Sequence, residues 1–199
     1  PEIVKILISS TFKYNKNDTT LSQGELESIV KTAIVNFDNT NLNNFDSIFR
    51  HSNLTRSIDE ADVSILSNTT NVRLRKKKPI ELAKTEGLVI NFGNSFFHPH
   101  DGHNKHSGGI LTTTGFKVDG DTVNTYFFDD DGSGNVRRFS LSGTTRVIAD
   151  QSAGTIDYAS GKVSINAIKF TSTVNSDTSI DYTVIPSSND VVAIRGSLI

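Results

Sequence analysis

Phe97 to Gly109, FHPHDGHNKHSGG, gathers His98, His100, His103 and His106 within nine residues. Imidazole is a common ligand for zinc, nickel and copper, so this one loop could supply several ligands, with Asp101 beside them. The competing reading is a solvated Gly/Asn-rich excursion between strands, and such loops occur without metal more often than with it. No metal is therefore favoured and no cofactor is expected. No HExxH helix is present, so the motif lacks the base that metal-assisted hydrolysis needs.

Asp129-Asp130-Asp131-Gly132-Ser133-Gly134-Asn135 resembles a calcium loop. Oxygen-bearing side chains fall at its first, third, fifth and seventh positions and glycine at the sixth, but Ser140 stands where a bidentate Glu belongs. The simpler expectation is a Gly/Asp turn between two strands. Arg73, Arg75, Lys76, Lys77 and Lys78 form a basic run that could meet phosphate or an acidic protein. In a strand, Arg73, Arg75 and Lys77 share the face opposite Val72 and Leu74, which suits a solvated edge or a protein interface better than nucleic acid. Asp59, Glu60 and Asp62 point around a helix rather than converging. There is neither a GxSxG elbow nor a phosphate loop nor a dinucleotide fingerprint, and without cysteine there is no thiolate nucleophile.

The elements that position these residues follow from periodicity. Val4, Ile6, Ile8, Phe12 and Tyr14 alternate with Lys5, Ser9, Thr11 and Lys13, which predicts a long strand over Pro1 to Tyr14. Ser22 followed by Glu25 is a capping box, with Leu21 and Leu26 placed for a hydrophobic staple, so a helix starts at Ser22. Its stripe is Leu26, Ile29, Val30, Ala33, Ile34 and Phe37, and the turn-forming stretch Asn36 to Asn44 ends it. Leu54, Ile58, Ala61 and Ile65 predict a second helix capped by Ser52 or Asn53. Ser67 to Thr70 then read as a turn, and Val72 and Leu74 as a strand partnering the first one.

The expected fold is α+β: a strand-helix-helix-strand layer over residues 1–78, a linker at 79–87 and a mainly antiparallel β domain over 88–199. The predicted strands of the second part are Leu88 to Phe92, Gly109 to Val118, Thr122 to Phe128, Val136 to Leu141, Thr144 to Ile148, Gly154 to Tyr158, Lys162 to Phe170, Ser179 to Ile185 and Val191 to Ile194. Asp119-Gly120-Asp121 and Ala159-Ser160-Gly161 close hairpins, with Gly161 in the left-handed position.

Composition sets the outer bounds. The chain has 199 residues, 35% of them hydrophobic, and carries 20 Lys and Arg against 22 Asp and Glu, a net charge of −2. That balance argues against a general nucleic-acid surface, and no apolar run reaches the roughly 20 residues a bilayer span needs, so neither nucleic acid nor membrane is an expected partner. Without cysteine there is no disulfide framework, and a reducing interior fits most easily. The chain begins at Pro1 with no signal peptide and no initiator methionine, and reads as a fragment or a processed piece.

Three segments together resemble a known family: FDSIFRHSNLTRSIDEADVSI (Phe45 to Ile65), GTIDYASGKVSI (Gly154 to Ile165) and IPSSNDVVAIRGSLI (Ile185 to Ile199). They are similar, in this order, to the carboxy-terminal part of the baseplate wedge proteins of T-even-like contractile-tailed bacteriophages. The resemblance implies a non-enzymatic structural protein of the virion tail baseplate, assembled in the host cytoplasm. It further implies a subunit that dimerises, binds other wedge proteins and joins wedges into a ring. The histidine-rich loop is not associated with that family, and Gly196 follows Arg195 where Asn is expected. Contacts are expected through Arg73, Arg75, Lys76, Lys77 and Lys78, the second helix, and the end of the chain with Asp190 and Arg195. The alternative from another class is a metal-dependent enzyme or receptor-binding module using His98, His100, His103 and His106.

Overall fold

The computed structural model describes residues 3–42, 48–103 and 109–192. In chain order the elements are β1 (Val4–Tyr14), α1 (Gln23–Asn41), β2 (Ile48–Phe49), α2 (His51–Asp59), β3 (Ile65–Pro79), β4 (Thr85–Asn91) and β5 (Thr112–Thr113). There follow β6 (Phe116–Val118), β7 (Asp121–Asp130), β8 (Asn135–Ser142), β9 (Thr145–Asp157), β10 (Lys162–Thr173), β11 (Ser179–Val184) and β12 (Val191–Val192). The chain divides into two compact units, Pro1–Arg73 with Asn189–Ile199, and Leu74–Ser188. Residues 79–87, read from sequence as a linker, contain the end of β3, the start of β4 and a buried Ile80 between them. The α+β class holds broadly: among the described residues both helices lie in the first unit, and the registered strand pairs are antiparallel.

In the first unit the capping box forms as its residue types require. Ser22 Oγ accepts the Glu25 N–H at 3.4 Å and Glu25 Oε2 accepts the Ser22 N–H at 2.7 Å, satisfying two amide donors at the start of α1. Leu26, Val30 and Phe37 are buried along one stripe of that helix, and the Phe37 ring meets Phe49 of β2 edge-on at 6.0 Å. β1 alternates between exposed and half-buried positions for most of its length and pairs with β3. The Asn15 N–H donates to Ser64 O at 2.9 Å while Ser10 Oγ lies 2.8 Å from Thr70 Oγ1, so the two strands run antiparallel. β12 pairs with β2, Val191 opposite Phe49.

Three expectations for this unit are corrected. Neither Ser52 nor Asn53 caps α2. Arg50 occupies that position without a side-chain bond, and the Asp190 carboxylate accepts the His51 N–H instead, at 2.8 Å. The helix ends at Asp59, because Asp62 Oδ1 takes the Ser64 N–H and hydroxyl and turns the chain, so Ile65 opens β3 rather than extending the helical stripe. Ser67 to Thr70 are strand, not turn. Asn68 and Thr70 bond away from their own backbone: Asn68 Nδ2 donates to Thr55 O and Asp59 Oδ1, and Thr70 Oγ1 donates to Asn68 Oδ1 and meets Ser10 across the pair.

The second unit is built round a closed barrel. β6, β7, β8, β9 and β10 pair in that order, and β9 pairs back onto β10 to close five strands, with β4 added alongside β10. Phe116, Phe128 and Phe170 are fully buried, with ring centres 4.6 and 5.2 Å from Phe116. Gly154 sits where β8, β9 and β10 converge, and a Cβ there would lie 2.2 Å from Ser164 O, so only glycine permits the approach. The predicted strand over Gly109 to Val118 is broken at Thr114-Gly115, where the chain leaves its pairing with β11 and takes up pairing with β7 and β10. The two strands predicted over Thr144 to Ile148 and Gly154 to Tyr158 are one strand, β9. Its register against β8 shifts between Val136 and Phe139, which absorbs the polar Asp150-Gln151-Ser152. Both predicted hairpin turns form, with Gly120 and Gly161 at φ 83° and 69°.

Candidate functional site

The basic run lies on β3, and the strand's alternation separates its members. Arg73 is exposed; Arg75 is half-buried, its Nε donating to Thr183 Oγ1 at 3.4 Å. Lys76 falls on the inward face, 6% exposed, with Nζ donating to Asn91 O at 2.6 Å. Lys77 is ion-paired with Asp177 and stands opposite Asp181 in the β3–β11 register; the Asp177 carboxylate holds its ammonium above the usual lysine range. Lys78 is half-buried. What sequence presents as one basic patch is thus a stripe of two exposed cations, one structural lysine on the opposite face and two partly covered side chains.

Asp190 works within the first unit. Its Oδ1 accepts the His51 N–H and its Oδ2 takes the Arg50 guanidinium at 3.0 Å, and these bonds hold the carboxyl below the ordinary carboxylate range. Arg195 and His106 lie outside the described residues.

Three histidines of the loop are brought together. The His98 ring stacks on Tyr158 at 4.2 Å, His103 meets His98 edge-on at 5.1 Å, and His100 lies 6.0 Å from His103. His98 Nε2 is 3.1 Å from Gly132 O and 3.5 Å from Asp101 Oδ1. The Gly102 N–H donates to the same carbonyl at 2.8 Å, fastening the loop to the turn after β7. Among the described residues, no three His, Asp or Glu groups already enclose a common point.

The aspartate run resembling a calcium loop is taken apart by the strand it occupies. Asp129, in β7, faces Arg137 of β8 through two bonds of 2.9 and 3.0 Å and also pairs with Arg146. Burial pushes its carboxyl up, against the pull of both guanidiniums. Asp130 points to the other face, where it accepts the Tyr158 O–H at 2.7 Å and the Leu111 N–H at 2.9 Å. Asp131 folds the turn, accepting the Ser133 and Asn135 N–H groups at 2.8 and 3.0 Å. Three successive carboxylates serve three separate sets of donors, which is a hairpin's use of aspartate rather than a cation's.

Sequence reasoning missed the Asp129–Arg137–Arg146 and Asp130–Tyr158 links. A signal was present for the first: Asp129 and Arg137 are equidistant from Ser133, the centre of the Gly-rich turn, and so had to face each other across the hairpin. The second joins residues 28 apart through barrel closure, which local pattern does not encode.

No curated relative matches the chain. A family model, that of the baseplate structural protein gp6, C-terminal domain III, matches residues 2–77, which span β1, both helices and nearly all of β3. The basic run and the capped helix therefore lie within or beside the matched segment, while the histidine loop and the barrel lie beyond it. Residues 2–77, which hold the capping box and the β1–β3 pair, are thus similar to the C-terminal domain III of the phage baseplate structural protein gp6.

Proposed function

We propose that the chain is a wedge subunit of a contractile-tail baseplate, which dimerises and joins wedges into the baseplate ring after assembly in the host cytoplasm, with no reaction of its own. The observation that carries this reading is the match of residues 2–77 to the gp6 C-terminal domain III model. Surface chemistry in the same segment supports it. A shallow groove lined by Ile6, Ile8, Ile34, Phe37 and Leu42 leaves apolar surface open, and Val35 beside it is half exposed. Arg73 offers a cation toward an acidic neighbour, and Arg75, Lys77 and Lys78 reinforce it along the strand. A two-fold contact would let one such surface serve both subunits. Lys76, Asp190 and Arg195 complete the set of contact candidates; Lys76 is buried, whereas the Asp190 side chain is partly exposed.

Sedimentation velocity over a wide concentration range, alone and mixed with the other wedge proteins of the same tail, tests the proposal. A concentration-dependent dimer or a mixed complex, weakened by Arg73→Glu, is the expected result. A strict monomer that binds no wedge protein overturns it.

A further inference from the structure

We propose that the Asp119-Gly120 turn between β6 and β7 is a site of spontaneous isoaspartate formation in the folded chain, and that the fold protects the other two Asp-Gly pairs, Asp101-Gly102 and Asp131-Gly132. This goes beyond the assembly role and is independent of it.

The reaction needs an aspartate whose carboxyl can be reached by the next amide nitrogen. The Gly120 nitrogen attacks Asp119 Cγ: an N–Cγ bond forms, a Cγ–O bond breaks, and the departing hydroxyl leaves as water with the amide proton. Water then adds to the cyclic imide at the main-chain carbonyl carbon and breaks its bond to nitrogen. One water is lost and one gained, nothing is oxidised, and the mass is unchanged. The backbone then runs through Cβ and Cγ of residue 119, one carbon longer than before. Glycine favours the closure because it has no side chain to obstruct it. The sequence holds no Asn-Gly pair, whose loss of ammonia would run ahead of it.

Three features leave Asp119-Gly120 open. Both residues are exposed, and apart from its chain neighbours nothing lies within 4 Å of the point where a Gly120 Cβ would stand. Among the described residues the Gly120 N–H meets no acceptor, so no bond has to break before its nitrogen reacts. The Asp119 side chain is 60% exposed and bonds Lys169 Nζ at 3.2 Å, an exposed ion pair that restrains it weakly.

The other two pairs are closed, each in its own way. The Asp101 side chain is 91% exposed, but the Gly102 N–H is committed to Gly132 O at 2.8 Å, and losing that proton would set a bare nitrogen against a carbonyl oxygen. At Asp131 the carboxylate is the fixed partner. Its Oδ1 accepts the Ser133 and Asn135 N–H groups at 2.8 and 3.0 Å, its Oδ2 accepts Asn135 Nδ2 at 2.8 Å, and Gly132 is buried. Such bonds favour the ionised carboxylate over the neutral form that must lose hydroxyl. Exposure alone would choose Asp101; hydrogen bonding chooses Asp119. The change falls on a tight register, since Asp119 and Gly120 are the two residues between Val118 and Asp121, which pair across the hairpin.

The test is peptide mapping of the full chain after prolonged warm incubation at mildly acidic pH, folded and, in parallel, in denaturant. Electron-transfer fragmentation locates isoaspartate by position, and a protease that cuts before aspartate fails where isoaspartate stands. In the folded chain, isoaspartate and loss of that cleavage are expected at position 119, with positions 101 and 131 unchanged; in denaturant all three convert. Asp119→Glu keeps a carboxylate for Lys169 but would need a six-membered ring, and is expected to abolish the signal. Conversion at 101 or 131 as fast as at 119 in the folded chain, or no conversion at 119 in the folded chain, overturns the proposal.

Discussion

Asp190 caps α2 from the far end of the chain: its Oδ1 accepts the His51 N–H at 2.8 Å, across 139 residues of sequence. Arg50 stands at the start of the helix without a capping side-chain bond; the Asn53 N–H turns to Arg50 O, and the first amide, that of His51, is answered by the Asp190 carboxylate. Asp190 Oδ2 then pairs with Arg50, and the next residue, Val191, enters the short pairing with Phe49. The two stretches of the first unit's sequence are thereby joined, and the start of α2 draws on residues 190–192 being folded against it.

Removing that carboxylate tests the dependence. Asp190→Ala is expected to cost about 1 kcal/mol, the usual worth of a helix cap, with Asp190→Asn retaining part of it. Urea unfolding of the two variants beside the parent gives the values. An Asp190→Ala protein as stable as the parent would mean that water serves the helix terminus equally well.

Two tyrosine hydroxyls make opposite demands. Tyr182 is wholly buried and its hydroxyl has no hydrogen-bond partner among the described residues, whereas the Tyr158 hydroxyl is held by Asp130. Tyr182→Phe removes an unanswered polar group and is expected to leave stability unchanged or raise it by up to about 1 kcal/mol. Tyr158→Phe takes a donor from a buried carboxylate and is expected to cost about 1.5–3 kcal/mol. Denaturant midpoints of the pair decide the matter, and losses of equal size in both would refute the distinction.

These contrasts show where sequence was informative. The capping box at Ser22 and Glu25, the alternation in β1 and the Gly161 turn are local statements, made by residues within a few positions of each other, and all three are present in the fold. The turn expected at Ser67 to Thr70 failed because Asn68 and Thr70 found distant partners, and the cap expected at Ser52 or Asn53 failed because Asp190 took the role. Both misreadings have one cause: short polar side chains satisfy either local backbone or remote groups, and spacing alone does not say which. The basic run shows the same limit, since alternation placed Arg73, Arg75 and Lys77 together but gave no sign that Lys76 would bond to Asn91 O inside the second unit.

The Asp129–Arg137 pair sets a further expectation. Both side chains are nearly inaccessible, at 1% and 7% exposure, and they bond through two contacts of 2.9 and 3.0 Å. Arg137→Met leaves a buried carboxylate with Arg146 as its remaining cation and is expected to cost about 3–5 kcal/mol. The double variant Asp129→Leu with Arg137→Met removes both charges and should recover much of that loss. A thermodynamic cycle over the two single variants and the double provides the measure. Equal instability of the double and Arg137→Met would show that packing, not the stranded charge, sets the cost.

Acid should unfold the protein through its hydrogen-bonded carboxylates. Asp121 accepts the Tyr126 hydroxyl at 2.6 Å and the Asn124 amide at 2.8 Å, and these bonds hold its carboxyl well below the ordinary range. Glu25, Asp157 and Asp177 are lowered in the same way, by Ser22, Ser160 and Lys77 respectively. A group whose folded pKa lies below its unfolded value binds its proton more readily when unfolded. Its stabilisation is complete above roughly pH 4–5 and is lost as pH falls through the folded pKa. Asp129, raised by burial, acts with the opposite sign, gaining stability as it protonates, but among the described residues the lowered carboxylates outnumber it. Stability should therefore fall steadily below about pH 4. In Asp121→Asn, less stable at neutral pH, the acid-side slope should be shallower, because one of the protons driving the loss is gone. Urea midpoints from about pH 2 to pH 7 for parent and variant give both slopes. Parallel slopes would show that Asp121 ionises alike in the folded and unfolded chain, and that its bonds to Tyr126 and Asn124 carry no linkage.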